Sequence, residues 1–235
     1  MKKIVVVFFV LMLLAFAWSG TGQAGGWAVI TLHELPQDVH AGEPVTVRFS
    51  VRQHGKHPME GLETTIRASN GNRSLSVRGA ESNQTGVYTA TLTFPTAGEW
   101  AWSISAFTMD VPMPAITVGA PRTAFERLLA SWRNAWGRHI PAAYAQDAPS
   151  SAAEGKRIFL AKGCWTCHHH AQVAGSFSTN NGPDLTTFAK DAEFLHAWLR
   201  NAEQLTKSRQ EWWMPTLELS DNEIDALYLF LRADQ

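Results

Sequence analysis

From Trp27 to Val118 apolar and polar residues alternate with a period of two, broken at short intervals by turn formers. The clearest segment is Val45 to Arg52, where Val45, Val47, Phe49 and Val51 interleave with Thr46, Arg48, Ser50 and Arg52. Such alternation places one row on a core face and the other in water. The same pattern predicts strands over Trp27–Leu32, Glu63–Ala68, Ser74–Val77, Val87–Phe94, Glu99–Phe107 and Ala115–Val118. Short strands separated by Gly, Asn and Pro predict an antiparallel β-sandwich over residues 27–120. Trp100, Trp102, Tyr88 and Phe94 are its expected core aromatics, because the segment contains no cysteine to staple two sheets.

The period then changes. Over residues 121–150, Phe125, Leu128, Leu129, Trp132 and Trp136 fall on one helical stripe. Thr123 and Glu126 have capping-box spacing and Gly137 supplies a stop, so an amphipathic helix is predicted over Ala124–Trp136. Its other face carries Arg127 and Arg133, flanked by Arg122 and Arg138. That composition suits a lipid interface or a partner, whereas packing of Phe125, Leu128 and Trp132 on a neighbouring domain is the simpler expectation. Pro141 to Ser151 reads as an Ala/Pro/Ser linker. Residues 151–235 are helical in pattern, with helices predicted over Ala152–Lys162, Ala192–Gln204 and Asp221–Arg232. The pairs Ser151/Glu154 and Ser220/Glu223 repeat the capping spacing at the first and last of these.

Met1-Lys2-Lys3, the apolar run Ile4–Trp18 and the small-residue site Gly22-Gln23-Ala24 read as a signal peptide, or as an N-terminal anchor if uncleaved. Either reading over residues 1–26 implies an extracytoplasmic protein (periplasm or outer face of the cytoplasmic membrane). Membrane association is then expected through residues 4–18 or the 124–136 helix. With 20 Lys plus Arg against 21 Asp plus Glu, the chain lacks the basic excess of a nucleic-acid binder. No phosphate-binding glycine loop or Ser-His-Asp order supports a nucleotide-binding or hydrolase reading, so no catalytic residue is predicted.

The chemistry lies in Cys164-Trp165-Thr166-Cys167-His168, a C-x-x-C-H run of the kind that attaches a c-type haem. Two thiols three positions apart can each add to one haem vinyl group, and His168 then offers its imidazole to the iron. A bare C-x-x-C pair is also compatible with redox or zinc chemistry. No βαβ pattern surrounds it, and zinc would need a second ligand pair, for which the adjacent His168, His169 and His170 are poorly spaced. Trp165 is expected near the exposed haem edge, and His169 and His170 are expected to be solvated or partner-facing. His196, on the third predicted helix, is expected at the surface or in a groove.

Residues from about Glu154 to Arg232 closely resemble a class I cytochrome c domain. The resemblance rests on Gly155, Phe159, the C-x-x-C-H run, Gly182-Pro183-Asp184-Leu185, Met214-Pro215 and the helix from Ser220 to Leu231. It implies an all-α cytochrome c fold over residues 151–235 and one haem c, covalently attached through Cys164 and Cys167. It further implies axial ligands His168 and Met214, a Pro183 carbonyl accepting from His168, and a helix crossing at Gly155 and Phe159 against Leu227, Tyr228 and Leu231. Saturated His/Met ligation implies an electron carrier rather than an enzyme.

Gly86-Val87-Tyr88-Thr89-Ala90 is similar to the tyrosine corner of immunoglobulin-like domains. With Gly42-Glu43-Pro44 and Gly98-Glu99-Trp100 it also resembles the extracytoplasmic β-domains called YtkA-like or FixH-like. Relatives of that kind occur near oxidase and copper-handling systems. This directs attention to His54, His57, Met59, Met109 and Met113, whose imidazole and thioether groups suit copper. The expected function is passage of single electrons between redox protein partners, including a respiratory complex. The alternative is an assembly or copper-handling factor whose β-domain binds metal while the haem supplies electrons.

Overall fold

The computed structural model describes residues 26–71, 73–137, 150–173, 179, 181–207 and 214–233. The predicted leader over Ile4–Trp18 and the linker from 141 to 149 lie outside them. No helix among the described residues is long and apolar enough to cross a membrane.

The N-terminal part is an antiparallel β-sandwich, as the alternation predicts. Its strands are β1 (Ala28–Leu32), β2 (Pro44–Gln53), β3 (His57–Pro58), β4 (Thr64–Asn70), β5 (Arg73–Glu81), β6 (Val87–Thr93), β7 (Gly98–Ala106) and β8 (Met109–Val118). They pair in the order β1-β2-β6-β5-β4-β7-β8, with β3 on β2. Strand β5 runs along β4 and then hands Ala80 and Glu81 to β6, folding one sheet onto itself. At this switch a Cβ on Gly79 would stand 2.3 Å from Thr64 Oγ1, so the crossing requires a residue without a side chain.

Strand β8 begins at Met109, six residues before the predicted Ala115. Pro112 and Pro114 masked it in the sequence. Proline cannot donate to a ladder, yet β8 is an edge strand paired only with β7, where proline is tolerated. Phe49, Tyr88, Phe94 and Trp100 are fully buried. Each core indole is satisfied: Trp100 Nε1 donates to Thr96 O at 3.0 Å and Trp102 Nε1 to Pro114 O at 2.7 Å. Tyr88 behaves as a tyrosine corner should, its hydroxyl donating to Met59 O at 2.8 Å and accepting from Leu62 N at 3.1 Å.

Helix α1 (Ala124–Gly137) follows, opened by the predicted box: Thr123 N donates to Glu126 Oε2 at 2.7 Å, and Glu126 N to Thr123 Oγ1 at 3.2 Å. The simpler expectation for its apolar stripe does not hold. Phe125, Leu128, Leu129 and Trp132 are each more than half exposed, so they pack on neither domain. Periodicity shows that a helix has an apolar face, not what covers it. Arg122 is also not part of an open basic face, because it pairs with Asp38 and with Glu43 (3.1 Å) on the sandwich.

The C-terminal part is helical: α2 (Ala152–Ala161), a 3₁₀ turn at Cys164–Thr166, α3 (Ala192–Lys207) and α4 (Asp221–Leu231). Helices α2 and α4 cross so closely that a Cβ on Gly155 would lie 1.9 Å from Ala226 O. Phe159 and Phe230 meet beside this crossing, ring centroids 5.5 Å apart. The crossing expected at Gly155 and Phe159 is therefore present, centred on Ala226 and Phe230.

The two parts share a seam along β1. Its residues are buried on both faces, and Gly163 (φ +74°) lies against Val29 and Ile30. Thr31 Oγ1 donates to Lys162 O at 3.3 Å, and Lys162 Nζ donates to His33 O at 2.6 Å. The buried apolar residues of both parts form one continuous cluster.

Candidate functional site

Helix α2 ends at Ala161 with Lys162 as its cap, and Gly163, in the left-handed region, turns the chain into the Cys164–Thr166 turn. His168 N and Cys167 N both donate to Cys164 O (3.0 and 3.2 Å), so the two thiols and the imidazole are displayed by one compact coil. A second segment runs alongside it. Gly182 N donates to Cys167 O and Leu185 N to His169 O, both at 2.9 Å. This brings Pro183 to the histidine, and His168 Nδ1–H donates to Pro183 O at 2.9 Å. A Cβ on Gly182 would sit 2.3 Å from His168 Cε1, so only glycine lets this backbone lie flat against the ring.

Burial lowers the pKa of His168, opposed by the bond to Pro183. The ring is thus neutral at pH 7, with its proton on Nδ1 and its Nε2 lone pair available, the arrangement that orients a metal-binding histidine. Burial, aided by the neighbouring Cys167, pushes the Cys164 thiol up to about 12. Burial raises Cys167 as well, opposed by a bond from Thr179. Redox dithiols and zinc sites both need accessible thiolate. These thiols are neutral and unbridged. Among the described residues no group of three or more His, Cys, Asp or Glu is placed to hold a metal ion.

Met214 is held by the end of α3. Its N–H donates to Thr206 Oγ1 at 3.0 Å, while that hydroxyl donates to Ala202 O at 2.7 Å. Glu203 N donates to Thr216 Oγ1 at 3.1 Å and ties down the same stretch. Sequence reasoning missed both threonines, whose only signal is a hydroxyl in or after the last helical turn.

Cys164, Cys167, His168, Pro183 and Met214 all line one cavity of about 700 Å³, floored by Leu195, Leu199 and Leu227. That volume lies in the usual range for an organic cofactor. Paired neutral thiols, an oriented imidazole and a thioether on an apolar cavity fit a covalently attached haem. The cavity has a wall not foreseen in the sequence: Trp27, Val29, Thr31, Arg52 and His54 of the β-sandwich also line it. The available signal was β1 itself, whose Ala28-Val29-Ile30 run is apolar on both faces.

Several neighbours differ from expectation. Trp165 is buried, its Nε1 donating to Leu160 O at 3.2 Å, and so does not sit at an exposed edge. His170 is 3% exposed, with its ring 4.4 Å from Phe230 and 6.0 Å from Phe159, and is a core residue rather than a solvated one. Its position next to His168 hid that the chain turns inward there. His169 is exposed beside Asp184 (3.2 Å), as expected. His196 is a surface residue bound to Asp225 at 2.8 Å. Of the copper candidates, His54 lies against Trp27 (5.4 Å) on the cavity, His57 is exposed in β3, and Met59 is half-buried at the tyrosine corner. Met113 is in the sandwich core, and Met109 Sδ accepts from Ala28 N at 3.4 Å.

No curated protein matches this sequence. Among solved structures, the chain is 14% identical to domains 4 and 5 of the S-layer protein SbsC, covering 42% of this chain and 54% of that one (TM-score 0.31). It is 17% identical to SbsC domains 1–6, covering 44% of this chain and 14% of that one (TM-score 0.33). It is 9% identical to the Lin-41 filamin domain, covering 41% and 93% (TM-score 0.29). The chain thus spans about half, or less, of the S-layer structures it matches, and likenesses this weak carry no argument. Residues 152–234, by contrast, match the family model for Cytochrome c, so the helical part of this chain resembles a cytochrome c domain, a kind of domain that implies covalently bound haem c.

Proposed function

We propose that this chain is an extracytoplasmic mono-haem c-type cytochrome that passes single electrons between redox protein partners. In this reading residues 27–120 form the β-sandwich domain, 121–150 the connecting helix and linker, and 151–235 the cytochrome domain. The observation that carries it is the cavity on which Cys164, Cys167, His168 and Met214 converge. Attached there, the haem supplies one-electron iron chemistry. Cys164 and Cys167 would hold it as thioethers, and His168 and Met214 would be the protein ligands of its iron. Pro183 fixes the tautomer of His168, and Thr206 sets the approach of Met214. Leu195, Leu199 and Leu227 exclude water, and a neutral thioether favours ferrous iron. Two protein ligands to the iron would leave no open position for substrate, which supports a carrier rather than a catalyst.

The exposed stripe of α1 supports a lipid surface as a further partner. Phe125, Leu128, Leu129 and Trp132 face solvent, with Arg127 on the same helix to meet anionic headgroups. Denaturing mass spectrometry of protein matured by a cytochrome c assembly apparatus tests the haem reading. One haem should stay attached to the peptide spanning Cys164–His168, and a peptide at its unmodified mass would refute it.

A further inference from the structure

Pairing of β1 with β2 sets Val29 opposite Arg52 on the face turned away from the sandwich core. In an isolated sandwich this row would meet water. Here Val29, Thr31 and Arg52 form a wall of the cavity that also holds Cys164, His168 and Met214. The charges on that lining are unequal: among the described residues it carries three cationic side chains, Arg52, Lys162 and Lys190, and one carboxylate, Asp184. Asp184 is bound by Thr186 and His169. Lys162 is committed to Glu223 and His33 O, and Lys190 lies over the Phe194 ring at 5.6 Å. Arg52 differs from these. The residue is half-buried, and its guanidinium makes no ion pair or side-chain hydrogen bond among the described residues. A guanidinium on a cavity wall without an anion is poorly compensated, and its flat fork of donors matches a carboxylate. A haem carries two propionate carboxylates.

We propose that Arg52, supplied by the β-sandwich, is the counter-cation of a haem propionate, so that the haem site is built by both domains and its potential is set partly from outside the cytochrome fold. This rests on the haem reading above. A cation fixed near the haem disfavours the extra positive charge of ferric iron and so raises the reduction potential.

The test uses the full chain, matured with haem. Reduction potentials are measured for wild type, Arg52→Lys, Arg52→Gln and Arg52→Glu, with Arg67→Gln as a control of equal charge loss on the far sheet, where Arg67 pairs with Asp110. The expected order is wild type and Arg52→Lys highest, Arg52→Gln lower and Arg52→Glu lowest, with Arg67→Gln at the wild-type value. Loss of packing alone would not sort the potentials by charge, and Arg52→Lys keeps the comparison usable if the other variants fold poorly. Haem-loaded Arg52→Gln and Arg52→Glu with wild-type potentials would overturn the assignment of Arg52 and leave the haem reading standing. Wild-type chain that acquires no haem would overturn both.

Discussion

Lys162 Nζ lies 3.0 Å from Glu223 Oε1, and the same ammonium donates to His33 O at 2.6 Å. Glu223 meanwhile closes the capping box of α4, its Oε2 accepting from Ser220 N at 2.8 Å. One carboxylate thus serves a helix end and a cation that joins both domains, with Lys162 only 4% exposed.

Lys162→Ala should therefore act at the seam. Removing one partner of a fully buried pair costs about 3–5 kcal/mol. The partial exposure of Glu223 reduces the expectation to about 1–3 kcal/mol. Urea unfolding followed by tryptophan fluorescence measures it. A loss below about 0.5 kcal/mol, the level of an ordinary surface change, would show that the domains are joined by apolar contact alone.

Gly182→Ala should disturb the site while sparing the fold. Its new methyl would fall 2.3 Å from His168 Cε1, and either the imidazole or the Pro183 segment must move. Overpacking of this kind costs about 1–3 kcal/mol. The variant should acquire less haem and show an altered visible spectrum at unchanged helix content by circular dichroism. Wild-type haem content and spectrum would contradict the close approach.

A pH dependence follows from the clamp at the start of α1. Hydrogen bonds from Arg122 and then His40 hold Asp38 below the usual carboxylate range. A depressed carboxylate gives stability that is present above its ordinary pKa, about 4, and lost as pH falls through the folded value. The bond to Ala120 O, then Asp38, raises His40. A raised histidine gives stability that is present below its ordinary pKa, about 6.5, and lost as pH climbs through the higher folded value. This clamp should be firmest between about pH 4 and pH 6.5. Melting curves of wild type and His40→Gln should differ most in that window and converge as pH rises past the raised folded value of His40, and a constant difference across pH would contradict the assignment.

The exposed stripe predicts membrane binding. Chain lacking residues 1–26 should float with anionic liposomes, and Phe125→Ser/Trp132→Ser should reduce the bound fraction at least tenfold. Equal flotation of both proteins, or of neither, would rule out α1 as the lipid contact.

Local chemistry was legible in the sequence wherever a device acts within a few residues. The Ser220/Glu223 and Thr123/Glu126 boxes form as their spacing requires. The alternation of Val45 to Arg52 becomes β2, and C-x-x-C-H becomes one coil. Features that depend on which distant surface arrives were not legible. Trp165 and His170 share the motif's neighbourhood, yet both turn into the core, because helix crossings and not adjacency decide their environment. Likewise β1 has the period of a strand, and only its doubly apolar character hints that a second domain covers its outer face.

Potentiometric titration of the haem-loaded full chain, followed by visible absorption with and without carbon monoxide, tests single-electron carriage through a ligand-saturated iron most directly. The prediction is one reversible one-electron transition, with a ferrous spectrum that carbon monoxide leaves unchanged. Rapid and complete binding of carbon monoxide to the ferrous protein would contradict it, because the iron would then have an open position that Met214 does not fill.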